Sequence, residues 1–546
     1  MGWFRDLLVF TPGLESRHGH ASIRSHLKDT LGQAQLVNFK LDDNIFGQPH
    51  ASGLGPDTPV IEAAFTFETP RALGKGYVRI LYPHDGETPK AMMMMMMVSD
   101  WKGHEEIIYE SGVYDEHNVS WGEIRAQRHA EIEKDPFVIV VGGAQTGLQV
   151  AARLRQHDIK TLVIEQTARV GDVWRNRYPT LALHTPRAQH CFLYQPYPSN
   201  WPKLTPRDKL ASWLEQYAET QDLVVWTSST LEPQPRYNSQ TKRWDVVINR
   251  NGVPIALHPA HIVLATSIYG DPVIPPLLGI ENFSGRVLHS SAFAGGKHFA
   301  GQRVIVVGAG NTSVDVCQDL VYCGAASVTM VQRSSSAVVS VKYLLQTFGM
   351  SFPEGKPTYY SDLASAGMPI GALCELGRKM QPIAEEYDKE MLEGLKKAGF
   401  KVKDGPDHSG QLYMVFDRGG GYFVDVGCAS LIINGKVKVK QGTELDHLTS
   451  TGVVYKDGSD EEADAIILAT GWHPIRDKLK RTFGEEVIDR TSELWGIDEE
   501  GELRAGYKPS GQPGLWFAAG DFAVSRFYSN FLALYIKGIE LGYFFY

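Results

Sequence analysis

Residues Phe137 to Val141 form an unbroken apolar run that passes directly into Gly142-Gly143-Ala144-Gln145-Thr146-Gly147. Apolar residues then return at helical spacing at Leu148, Ala151 and Ala152. A second apolar run, Thr161 to Ile164, ends on Glu165. Strand, glycine turn, helix, strand and terminal acid in that order is the pattern of a dinucleotide-binding corner. The glycines let the backbone turn tightly and approach a pyrophosphate. The helix N-terminus offers free N–H groups, and the acid accepts hydrogen bonds from a ribose. The pattern departs from G-x-G-x-x-G at its second glycine, which is Ala144, and a methyl group there is expected to crowd the phosphates. Taken alone, the segment also suits an ordinary strand–turn–helix corner of an α/β protein.

A second copy decides between these readings. Val304 to Val307 reads as a strand, Gly308-Ala309-Gly310-Asn311-Thr312-Ser313 as its turn, and Val314, Cys317 and Val321 as one face of the helix that follows. Ser313 replaces the third glycine, where a small residue suffices for helix–strand packing. The next strand, Ser327 to Val331, ends in Gln332-Arg333 instead of an acid. An arginine there accommodates a 2′-phosphate, whereas an acid accepts from a free ribose hydroxyl. The first corner therefore suits FAD and the second NADPH; the alternative for Arg333 is a solvated surface arginine. Between the two corners, the cluster around Trp174, Arg175 and Tyr178 either caps the sheet or walls an aromatic, polyanionic cofactor. Near the C-terminus Asp521 ends an apolar strand, where a carboxylate can accept from a sugar hydroxyl.

The chain has 546 residues, enough for two or three domains. A net charge of −9 argues against a nucleic-acid or anionic-membrane partner. No apolar run has the length of a membrane span and no signal-peptide pattern is present; the scattered cysteines suit a reducing compartment, and the expected location is the cytosol. Five scattered cysteines without a Cys-x-x-Cys pair argue against a disulfide framework, a zinc site or a dithiol centre. No metal site is expected.

The expected fold class is α/β, with two dinucleotide-binding (Rossmann-like) domains and a small N-terminal α+β domain over residues 1–120. The FAD domain is expected over 136–290 and 465–546. The NADPH domain, over 291–464, is inserted within it and carries a helical insertion near 340–410. Residues 121 to 135 read as a helical linker ended by Pro136. Met92 to Met97 reads as a loosely specified buried strand, with a methionine-rich ligand or metal surface as the alternative. Residues 187–235 read as a wandering, partly functional surface, 419–439 as short strands, and the final helix as about 529–541.

With both turns in place, the chain from about residue 136 onward resembles the flavin-containing monooxygenases, of the fungal type similar to the plant auxin-forming enzymes. The family motif F-x-G-x-x-x-H-x-x-x-[YFW] reads here as Phe283, Gly285, His289 and Phe293, just ahead of the second turn. The segment around Trp174 and the Ala469-Thr470-Gly471 link also match. The N-terminal part resembles a nuclear-transport-factor-like domain. Departures are Ala144, Ser267 where a first Ala-Thr-Gly link has its glycine, and Asp521 where relatives often carry Asn.

The resemblance implies that NADPH reduces FAD by hydride transfer, and that the reduced flavin forms a peroxide with O2 that delivers one oxygen atom to a small organic substrate. It places Gly142, Gly143, Ala144, Thr146 and Gly147 on the FAD pyrophosphate, Glu165 on its ribose, Trp174 and Arg175 along the flavin, and Asp521 on its sugar chain. Gly308, Gly310, Asn311, Thr312 and Ser313 fall on the NADPH pyrophosphate and Arg333 on its 2′-phosphate. No catalytic acid or base is named, because the cofactor carries the chemistry; His289 is expected to support the link. The alternatives are a Baeyer–Villiger oxygenase, another two-dinucleotide flavoprotein oxidoreductase, and a degenerate non-catalytic member. Substrate and oligomeric state are left open.

Overall fold

The computed structural model describes residues 2–55, 57–82, 88–107 and 119–545. It is an α/β architecture built around two parallel five-stranded sheets. In the first, the order is Val224–Trp226, Thr161–Ile164, Val138–Val141, His261–Leu264 and Leu515–Phe517, every pairing parallel. These strands read as continuous apolar runs because both faces are covered. Val138 and Val140 point into the helical layer with Leu148, Leu532 and Phe531. Ile139 points the other way, toward Trp244, Val246 and Ile248 of an antiparallel sheet.

The second sheet repeats the plan. Arg286–His289, Ala465–Leu468, Arg303–Val307, Ser327–Gln332 and Val437–Gln441 run parallel in that order. Helices Asn311–Tyr322 and Cys428–Ile433 cover one face together with Val304 and Val306, and Ile305 and Ile466 turn to a small antiparallel sheet on the other. The chain crosses between units twice, through Tyr269–Pro272 and Trp472–Pro474, which pair antiparallel.

This pairing moves the expected boundaries. Arg286–His289 and Ala465–Leu468 were assigned by sequence to the first unit at 136–290 and 465–546, but both are strands of the second sheet. The changeovers sit at the two link strands instead. Three local expectations also change. Within 187–235 an amphipathic helix, Arg207–Thr220, buries Leu210, Leu214 and Tyr217. Within 419–439 the helix Cys428–Ile433 intervenes, started by Asp425, whose Oδ1 accepts from the N–H groups of Gly427 and Ala429. The last helix is Phe522–Glu540, seven residues longer at its start than expected, because the Asp521 carboxylate caps it through Val524 N–H at 2.8 Å.

The N-terminal unit is a seven-stranded mixed sheet with the helix His20–Ala34. The methionine run lies in Lys90–Trp101, between Trp3–Leu7 and Ala72–Leu81. Met94 and Met96 face Phe4, Ile23 and Leu27, while Met95 and Met97 enter the core shared with the first unit. Burial on both faces accounts for an uninterrupted apolar strand. The sheet is anchored by Arg5, which donates to both oxygens of Glu502 at 2.7 and 2.5 Å and to Tyr528 Oη, with Ser16 Oγ on Glu502 at 2.7 Å. Both charged partners are almost fully buried. From 340 to 410 the chain is largely helical, as Val341–Ser351, Thr358–Ala366, Ile370–Tyr387 and Lys389–Lys397. Arg526 of the last helix holds Asp362 of this insertion through two bonds of 2.6 Å.

Candidate functional site: two glycine turns

The two turns share their backbone angles at the first and third positions. Gly142 and Gly308 open them at φ +110° and +127°, a conformation suited to glycine. A Cβ at Gly142 would stand 2.6 Å from the Ala265 carbonyl oxygen, and one at Gly308 2.4 Å from that of Ala469. Ala144 and Gly310 are the equivalent N-caps, at φ −92°, ψ −169° and φ −106°, ψ −171°. Ala144 therefore carries no backbone strain. At Gly310 an added Cβ would meet nothing closer than Tyr422 O at 3.7 Å. At the third position Gly147 has no room for a side chain, since a Cβ would lie 1.9 Å from Gly142 O; Ser313 is fully buried there with its hydroxyl unpartnered.

Neither helix that follows, Gln145–Gln156 or Asn311–Tyr322, has a side chain capping its first turn. Their leading N–H groups are left for an anion, which is the fit a pyrophosphate requires. Glu165 is buried; its Oε2 accepts from Gly143 N–H and its Oε1 from Thr167 N–H and Oγ–H, all at 2.8 Å. Thr146 Oγ pairs with Ser525 Oγ at 3.1 Å, so its hydroxyl locks the turn to the last helix. In the second turn Asn311 Oδ1 accepts from Val424 N–H at 2.8 Å. Arg333 follows its strand into solvent, 77 % exposed, with Glu444 at 3.1 Å.

Trp174 Nε1 donates to Gln145 Oε1 at 3.3 Å, which places its ring beside the first turn. Arg175 is committed to Val170 O, Asp172 and Glu215, so it orders its own segment. That segment then reaches the other unit. The Tyr178 hydroxyl donates to Asp315 Oδ2 at 2.6 Å, and Asp315 lies in the second helix close behind its turn. Tyr178 and Asp315 thus tie the segment beside the first turn to the helix behind the second. No sequence signal marks this contact, whose partners are 137 residues apart.

His289 supports the link. Its Nδ1 accepts from Ser291 N–H at 3.2 Å, so Nε2 carries the proton and donates to Gly471 O at 3.1 Å. Burial pulls its pKa below the usual histidine range, against the pull of the Gly471 carbonyl. The link has a twin at Ser267, which adopts φ +75° where Gly471 adopts +87°.

A relay that sequence reasoning did not find ends on Asp521. Gln189 Nε2 donates to Asp521 Oδ2 at 2.6 Å, and the Thr185 hydroxyl donates to Gln189 Oε1 at 2.7 Å. Thr185 Oγ is then left to accept from His190 Nε2–H. Burial, followed by the charge of Arg526, holds His190 neutral with its pKa lowered to about 3. Among the described residues no cluster of His, Cys, Asp and Glu could hold a metal ion, and no helix is long and apolar enough to cross a membrane.

Comparison with known proteins agrees with this geometry. A model of the flavin-binding monooxygenase-like family matches residues 135–347. The chain is 30% identical over 361 residues to the probable indole-3-pyruvate monooxygenase YUCCA4 of Arabidopsis thaliana, covering 65% of this chain and 81% of that one. It is 28% identical over 344 residues to indole-3-pyruvate monooxygenase YUCCA1 of Oryza sativa subsp. japonica, covering 62% and 77%. In fold it is similar to an open crystal structure of cyclohexanone monooxygenase, with TM-score 0.54 at 16% identity over 75% of this chain and 88% of that one. It is likewise similar to a flavin-containing monooxygenase from Stenotrophomonas maltophilia, with TM-score 0.50 at 17% identity over 74% and 99%. The chain belongs to the flavin-binding monooxygenase-like family.

Proposed function

We propose that this flavin-dependent monooxygenase binds FAD at the turn Gly142 to Gly147 and NADPH at the turn Gly308 to Ser313, and places one oxygen atom from O2 into a small organic substrate. The observation that carries the reading is the pair of uncapped helix N-termini joined through Tyr178 and Asp315. Bound FAD would accept a hydride from NADPH and activate oxygen. The chain's own part is to bind, orient and exclude water. The N–H groups of Ala144 to Thr146 and of Gly310 to Thr312 cradle the two pyrophosphates. Glu165 shapes the first turn and offers its carboxylate to the ribose. Trp174 lines the flavin side, Arg175 orders that wall, and Asp521 presents its carboxylate at the start of the last helix. Gly310, Asn311 and Ser313 shape the second turn, and Arg333 takes the 2′-phosphate. We read the N-terminal sheet with its covering helix as a nuclear-transport-factor-like module. We place the reaction in the cytosol, a reading supported by five free cysteines.

The test has two arms. Product analysis under labelled O2, over amines, sulfides, ketones and keto acids, should show one labelled atom per NADPH consumed. Arg333→Ala should raise the KM for NADPH about tenfold or more and leave that for NADH unchanged. Equal losses for both coenzymes would remove Arg333 from the site.

A further inference from the structure

A cavity of about 740 Å³ lies where three parts of the molecule meet, away from both glycine turns. Strands Ala72–Leu81 and Lys90–Trp101 of the N-terminal sheet form one wall, residues 353–362 of the helical insertion a second, and residues 187–199 with the last helix a third. Five cationic and four carboxylate side chains line it. Three of the carboxylates are taken by arginines. Glu106 holds Arg153 and accepts from the Tyr194 hydroxyl at 2.7 Å. Asp362 holds Arg526, and Glu354 holds Arg187 at 2.9 and 3.1 Å. The fourth, Asp100, accepts from the Glu106 N–H at 3.2 Å.

Two ammonium groups are left without a carboxylate partner among the described residues. Lys75 projects from the N-terminal sheet and lies over the Tyr359 ring at 4.8 Å. Lys356 projects from the insertion, and burial pulls its pKa below the usual lysine range. Glu62, itself paired with Arg79, attracts Lys356 without forming an ion pair with it, so an anion in the cavity would give both ammonium groups a direct partner. Between them the walls are apolar and aromatic, with Phe192, Phe527, Tyr359 and Met97. Tyr197, stacked on Trp201 at 4.6 Å, backs the same wall.

We propose that this chamber binds an organic monoanion, an aromatic or extended apolar carboxylate, whose charge is drawn to Lys75 and Lys356 and whose body lies against the tyrosine and phenylalanine walls. The two cations come from different parts of the chain, so the ligand bridges the N-terminal sheet to the helical insertion. The net of one positive charge among the lining side chains selects a monoanion over a cation or a neutral body. The volume is of the size that small-molecule sites occupy.

The experiment is calorimetric titration of the FAD-loaded full chain with biphenyl-4-carboxylate, its neutral amide and biphenyl-4-methylammonium. The carboxylate is expected to bind at one site, the amide about tenfold or more weaker, and the ammonium not measurably. Lys75→Met and Lys356→Met, both at half-exposed positions, should each weaken the carboxylate about tenfold and leave the amide unchanged. Saturating carboxylate should also raise the thermal midpoint of the parent chain but not of the double lysine variant. Equal affinity for the three probes, unchanged affinity in both lysine variants, or no saturable heat with the carboxylate would overturn the proposal.

Discussion

The two turns permit a graded test at three glycines. At Gly308 the chain has φ +127°, and a methyl group would lie 2.4 Å from Ala469 O. Alanine in such a sparsely populated region costs about 1–3 kcal/mol. A backbone overlap that forces the strand end to shift adds about 1–3 kcal/mol. Gly308→Ala should therefore destabilise by roughly 2–6 kcal/mol, and Gly142→Ala, with φ +110° and Ala265 O at 2.6 Å, by a similar amount. At Gly310 the angles are those of an ordinary cap and the nearest atom is 3.7 Å away, so Gly310→Ala should cost no more than about 1 kcal/mol, the difference between glycine and alanine at an N-cap. Ala144→Gly should gain no more than that. The assay is thermal and urea denaturation of the four purified variants, with the ratio of flavin to protein absorbance read on each. At about 2–4 °C per kcal/mol for units of this size, the first two should melt roughly 5–20 °C early. The reasoning is refuted if Gly308→Ala and Gly310→Ala melt together.

Further consequences concern the link, the docked sheet and the response to acid. Ser267 holds φ +75°, so Ser267→Gly should raise stability by about 1 kcal/mol, read as a higher urea midpoint. Glu502→Gln strips the buried Arg5 of its counter-charge and should cost about 3–5 kcal/mol, with faster amide exchange in Trp3–Leu7 and Phe522–Glu540; the paired change Arg5→Met with Glu502→Leu should recover most of the loss. Burial lowers the pKa of His190 and His261 to about 3 in the folded chain. The unfolded chain takes up each proton from about pH 6.5, so between pH 6.5 and 3 it holds more protons and stability falls as pH is lowered, by about 2 kcal/mol per histidine at pH 5. His190→Gln should flatten the urea midpoint against pH over 6.5 to 5, and an unchanged slope would show that His190 is protonated when folded.

What the sequence made legible was local. Each glycine turn is specified by its neighbours, since strand, positive-φ glycine and uncapped helix occupy about a dozen consecutive residues; the order of elements was legible, while the helices begin inside the glycine segments, at Gln145 and Asn311. The methionine strand was legible as buried, because a run without alternation has no solvent face. What failed was long-range. The strands Arg286–His289 and Ala465–Leu468 have no local mark of which sheet they join, and their pairing depends on a chain that crosses between units twice. The start of the last helix depends on Asp521 acting as a cap where the residue type also suits a strand end. Tyr178 with Asp315, and Arg5 with Glu502, are single contacts between distant segments and leave no periodicity to read. Glu165 was legible as an acid at a strand end; its bonds back to Gly143 and Thr167 required coordinates.

The central claim is that two nucleotides bind at neighbouring turns and that electrons pass from one to the other. The most direct measurement is the visible spectrum of the purified chain, reconstituted with FAD and mixed with NADPH without oxygen. The account expects one flavin per chain, bleaching of its absorbance by one equivalent of NADPH, slower bleaching by NADH, and return of the colour when air is admitted. A chain that retains no flavin, or one whose flavin keeps its colour under excess NADPH, would contradict it.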